Sequence, residues 1–153
     1  MKIALTMALL LVLSISLSSA ITYSMEGTQE NINSYNSKID NAPDILKRLA
    51  GNEKINIDVI RNDGSVFRVG FVMENARINQ TVEGGFSDPS IILTTTENAV
   101  NTIRSSDNPI DTFQEQEDLG QVRIEGDNLR TKAKLSVVFS SSVLQFFSNV
   151  FYG

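Results

Sequence analysis

Read as a string of apolar and polar positions, the chain changes period several times, and each change marks an element. An apolar run from Ile3 to Leu17 follows Lys2 and ends in the small residues Ser18, Ser19 and Ala20, the pattern of a secretory signal cut after Ala20. Extended to Tyr23, the same segment reaches the ~20 residues of a membrane helix, so an uncleaved anchor is the alternative. Either places the remainder outside the cytosol. Residues 21–39 are rich in Asn, Ser, Thr and Gln without a sustained period, and they read as a spacer. In "DNAPDILKRLAG" Asn41 can cap, Pro43 suits an early helical position, Ile45, Leu46 and Leu49 share a face, and Gly51 ends the run. A short amphipathic helix therefore opens the folded body, residues 40–153.

From Lys54 the period becomes two. Ile55, Ile57 and Val59 alternate with Asn56, Asp58 and Ile60; "NDGS" (Asn62–Ser65) supplies a turn; Phe67, Val69, Phe71 and Met73 then alternate with Val66, Arg68, Gly70 and Val72. This predicts a hairpin with one strongly apolar face. A second reversal at Glu74–Arg77 leads to a weaker strand through Ile78, Gln80 and Val82. After the loop "EGGFSDPS", Ile91, Ile92 and Leu93 form a buried strand, and the four strands read as an antiparallel meander.

Thr94 and Glu97 have capping-box spacing, and Ala99, Val100 and Ile103 share the face of the helix that follows. A second short helix has Asp107 or Asn108 as cap, Pro109 in its first turn, Phe113 inward and Gly120 as terminator. Gln121 to Glu125 returns to strand, with Val122 and Ile124 on one side, closed by Gly126 and Asp127. Between Leu129 and Phe139 the alternation argues for a strand, yet Leu129, Ala133 and Val137 also align at helical spacing. The tail groups Leu144, Phe147 and Phe151 beside Val143, Phe146 and Val150, an apolar helical lid.

Composition narrows the chemistry. With 153 residues and 41% hydrophobic content there is one core to build. Without the leader, 12 basic side chains face 18 acidic ones, a net charge of −6, which argues against nucleic acid as a partner. The chain has no Cys, no His and no Trp. Disulfide staples, Cys or His zinc sites, Ser-His-Asp triads and histidine bases are thereby excluded. Glu115, Glu117 and Asp118 cluster as a solvated helix end, and "RNDGS" is too short for a calcium loop. No cofactor is implied and no catalytic constellation emerges.

The strand-turn-strand-turn-strand succession, "DPSIILTTTENAVNTI", the Asn-Pro helix and "GQVRIEGDNLRTKAKL" together resemble the sterol carrier protein type 2 family over residues 40–139. The resemblance implies an α+β fold: a five-stranded, mainly antiparallel twisted sheet with helices packed on one face. It also implies an apolar tunnel that accepts lipid, and it assigns residues 129–139 to helix. The side chains that would meet in such a tunnel are Phe67, Phe71, Met73, Ile103, Phe113, Leu135, Leu144 and Phe147. Each taken singly is also what a plain core uses. The reading is an exported, non-enzymatic lipid-binding protein whose tail gates the tunnel or touches a membrane surface; the alternative is a cell-surface interaction module of the same fold with a filled core. "NQT" at Asn79–Thr81 is the one glycosylation sequon.

Overall fold

In the computed structural model, described for residues 23–42, 44 and 52–126, every segment of period two is a strand. Helix α1 (Met25–Lys38) runs into a 3-10 turn (Ile39–Asn41). Strands β1 (Glu53–Ile60), β2 (Val66–Glu74), β3 (Arg77–Glu83) and β4 (Ile91–Thr96) follow, then helices α2 (Glu97–Arg104) and α3 (Pro109–Asp118), and strand β5 (Val122–Gly126). The leader, the helix expected around Ile45 to Leu49 and everything after Gly126, including the segment of ambiguous period and the apolar tail, lie outside the described residues.

The sheet has five strands in the order β3-β2-β1-β4-β5. This corrects the expected meander. Strand β4 does not pair with β3; it lies beside β1 and runs parallel to it, Ile57 level with Leu93, so the sheet is mixed. The remaining pairings are antiparallel. The loop 84–90 makes the transfer by crossing over β2 and β1. Three strand spacings amount to ~14 Å, within the ~23 Å that such a loop can reach. Asn56 Nδ2 donates to Phe86 O at 2.8 Å, and Phe86 N donates to Asn56 Oδ1 at 2.8 Å. A Cβ on Gly70 would come within 2.7 Å of the Phe86 ring, so β2 leaves a bare backbone where the ring lies.

Alternation sets the two faces. Ile55, Ile57, Val59, Phe67, Val69, Phe71, Met73, Ile91, Leu93 and Val122 are all buried and, by register, point to the same side. The opposite side carries Asn56 and Asp58 under the crossing loop, with Arg123 and Glu125 exposed beyond it. There Arg68, directly opposite Asp58, donates through Nε to Oδ1 at 2.6 Å and through Nη2 to the other carboxylate oxygen. In β3 the expected alternation of Ile78, Gln80 and Val82 breaks: a bulge shifts the register between Val72 and Met73, so Ile78 faces Met73 and Thr81 faces Phe71. Asn79 is the extra residue, and one inserted position moves Gln80 and Val82 to the polar side.

The segment read as a spacer is packed helix. Ser24 accepts from Gly27 N at 3.2 Å as the N-cap of α1, and Ile32, Tyr35 and Ile39 are buried. Its surface composition hid an apolar stripe at spacings of three and four. Helix α1 lies along β3, where Tyr35 donates to Ala76 O at 2.6 Å, Asn36 Nδ2 donates to Ile78 O at 2.8 Å and Ile78 N donates to Asn36 Oδ1 at 3.0 Å. Helices α2 and α3 pack on each other and against β4 and β5. The capping position of α2 is Thr96, accepting from Ala99 N at 3.1 Å, two residues past the Thr94 expected from the sequence. Thr94 and Thr95 remain paired in β4, and Glu97 accepts instead from Asn62 N in the β1–β2 turn at 2.8 Å.

Candidate functional site

The apolar side of the sheet is the candidate binding layer. Phe67, Phe71 and Met73 project from alternate positions of β2, in register with Val59, Ile55 and Glu53, and so line the strand over ~20 Å. Ile103 comes from α2 and Phe113 from α3, over the β4–β5 end of the sheet. All five are buried: Phe67 is 7% and Met73 4% exposed, and Phe71, Ile103 and Phe113 are 0% exposed. The last three therefore adjoin no space wide enough for water. Leu135, Leu144 and Phe147 lie outside the described residues, and the part of the site they would form with them.

Polar groups intrude on this layer at three places. Glu53, 8% exposed, accepts from Ser90 Oγ at 2.6 Å where β4 begins. At the opposite end, Tyr23 stands with its ring centroid 6.1 Å from that of Phe67, and the Arg61 guanidinium lies 5.6 Å from the Phe67 ring. Arg61 also donates to Tyr23 O at 2.8 Å. Burial, reinforced by the Glu97 carboxylate and opposed by Arg104 and Arg61, pushes the Tyr23 phenol up to about 12. The third is Thr95, 1% exposed on β4. Neither hydroxyl stands out in the sequence: Tyr23 falls in the segment read as a spacer, and Thr95 sits in a run of three threonines that resembles a strand edge leading to a cap.

A separate hollow of about 290 Å³ is lined by Ile39, Asp40, Glu74, Asn75, Arg77 and Asn79. It is polar and open, set between the end of α1 and the β2–β3 turn. Asn79 is exposed on its rim, with Nδ2 donating to Glu74 Oε2. Of the acidic cluster on α3, Glu117 is held above the usual carboxylate range, by burial first and by Asp118 second. No group of three or more acidic, His or Cys side chains suited to a metal ion occurs among the described residues.

No protein-family profile matches the chain, and no curated protein matches it. Solved structures do. A ubiquinone synthesis protein, UbiJ-SCP2, superposes with a TM-score of 0.54 at 9% identity, covering 84% of this chain and 98% of its own. A conserved hypothetical protein from Thermus thermophilus, described with reservation as a sterol carrier protein, gives 0.55 at 9% identity, covering 90% of this chain and 96% of its own. Sterol carrier protein domain 2 of Helicoverpa armigera gives 0.50 at 18% identity, covering 82% and 94% respectively. The chain has the sterol carrier protein type 2 fold.

Proposed function

We propose that this chain is an exported, non-enzymatic carrier that holds a hydrophobic ligand, sterol-like or acyl, between the apolar side of its sheet and the elements packed on it, for transfer or sensing. The observation that carries the reading is the burial of Phe67, Phe71 and Met73 along the apolar side of β2 and of Ile103 and Phe113 on the helices over β4 and β5, in a fold shared with proteins named as sterol carriers. Burial of apolar surface at ~25 cal/mol per Å² is the whole driving force such a site requires. The leader-like residues 1–20 and the apolar tail with Leu144 and Phe147 support export and contact with a membrane surface. Asn79, exposed at a bulge of an edge strand, is suited to carry a glycan on an exported protein.

A second reading is favoured by one specific observation. Phe71, Ile103 and Phe113 are 0% exposed, so at these positions the layer is filled and a guest must displace side chains to enter. An interaction module with a closed core has the same property. The experiment that separates them is solvent extraction of the purified full chain with mass spectrometry of the extract, followed by displacement of a fluorescent fatty acid. A carrier yields bound lipid and displaces the probe. A chain that yields none and displaces nothing is not a carrier, and loss of partner binding on deleting residues 140–153 would then establish the module.

A further inference from the structure

Two buried hydroxyls in the candidate layer are without a hydrogen-bond partner among the described residues: Tyr23 Oη and Thr95 Oγ1. Though 72 positions separate them in sequence, the architecture sets both over one end of the sheet. Thr95 is in register with Val59 of β1, and Phe67 is in register with the same Val59 from β2, so Thr95, Val59 and Phe67 form one rung on the apolar side. The Tyr23 ring packs on Phe67, tilted 45° to it. Its phenol feels the charges of Glu97 and Arg104, which belong to the helix that starts immediately after Thr96. Both hydroxyls therefore stand over the same end of the sheet.

A hydroxyl removed from water without a partner is unfavourable, and most buried polar atoms in folded proteins are paired. Two such atoms over one end of a largely apolar layer form a recognition element awaiting its complement. We infer that Tyr23 and Thr95 anchor the uncharged, oxygen-bearing end of the ligand, a hydroxyl or a carbonyl, while its apolar body displaces side chains along β2 from Phe67 toward Met73. The inference rests on the carrier reading. Tyr23 Oη can donate to a ligand hydroxyl or carbonyl, and Thr95 Oγ1 can donate to either or accept from a hydroxyl. The phenol is protonated at any physiological pH, and burial pushes it further up, to about 12. A carboxylate fits less well: it would bring a charge into a desolvated layer, and the nearby Arg61 is already engaged with Tyr23 O and with Ser65 Oγ.

The test uses the purified full chain with three probes of equal length, 1-decanol, decane and decanoate, each scored by displacement of a fluorescent fatty acid. The variants are Thr95→Val and Tyr23→Phe, which keep shape and remove the hydroxyl. The wild type should take decanol about tenfold more tightly than decane, and each variant should lose most of that preference while holding decane unchanged. Thermal unfolding of the ligand-free variants should show equal or higher midpoints, because an unmet buried hydroxyl has gone. Equal affinity for decanol and decane in the wild type, or a preference that survives both substitutions, overturns the anchor and leaves the carrier reading standing. Tighter binding of decanoate than of decanol overturns the choice of an uncharged terminus. Failure to take any of the three probes overturns the carrier reading, and the anchor with it.

Discussion

Asn56 and Phe86 hold each other reciprocally: the Asn56 amide donates to the Phe86 carbonyl and accepts from the Phe86 N–H, both at 2.8 Å. Asn56 is 4% exposed, and its side chain ties the middle of the loop that carries the chain from β3 to β4, whose ends are held by Gly84 N on Arg68 O and Ser90 N on Lys54 O. Asn56→Leu leaves a donor and an acceptor of the loop backbone unmet and should cost about 2–4 kcal/mol in urea unfolding. Gly70→Ala should cost about 1–3 kcal/mol, because a Cβ there meets the Phe86 ring at 2.7 Å. Combined with Phe86→Ala, the Gly70 substitution should be less harmful than the two single effects added. Strict additivity would mean that the ring does not lie over Gly70.

The edge strand β3 is closed by α1 through Asn36, whose side chain meets both backbone groups of Ile78. Asn36→Leu reopens that edge. The Ile78 amide should then exchange with deuterium at least about tenfold faster, and the protein should self-associate on concentration, as exposed strand edges do. An unchanged exchange rate would show that the helix does not protect the edge.

Stability should fall on the alkaline side for a nameable reason. Tyr23 and Tyr35 both titrate above the ordinary tyrosine value of 10.0, chiefly through burial, Arg77 opposing the effect at Tyr35. A group whose folded pKa is raised contributes stability that is complete below its unfolded pKa and disappears as pH climbs to the folded value. For Tyr23 that window runs from 10.0 to about 12. Tyr23→Phe should flatten part of the decline in unfolding free energy measured across it, whereas Tyr35→Phe should lower stability at neutral pH by about 1–2 kcal/mol, since Ala76 O loses its donor.

If the chain enters a secretory pathway with N-glycosylation, Asn79 should be modified. Intact mass after secretion, with and without amidase treatment, should show a glycan that Asn79→Gln and Thr81→Ala both remove. Secreted protein of unmodified mass would exclude the site.

The strands were legible because alternation in β1 and β2 is nearly perfect and the sheet has one dry side: Ile55, Ile57 and Val59 opposite Phe71, Val69 and Phe67 could hardly be placed otherwise. Strand order was not legible. Local patterning says which residues point inward but not which strand sits beside which, and the pairing of β1 with β4 depends on Gly70 and Asn56 accepting a loop, a relation between distant positions. The helix at Met25–Lys38 was missed because its polar residues outnumber the buried ones, and a few contacts with β3 suffice to hold it. Of the candidate ligand residues, those on β2, α2 and α3 are all buried. The hydroxyls of Tyr23 and Thr95 carry no sequence signal, since only the finished packing leaves them unmet.

The parallel seam between β1 and β4 also imposes a timetable on the growing chain. Strands β1, β2 and β3 can zip together as neighbours while they emerge, but the centre of the sheet has one bare flank until Thr96 has been made and the loop has swung across. Until then the unpaired edge of β1 is open to whatever is at hand, and a chaperone is the natural companion for that interval.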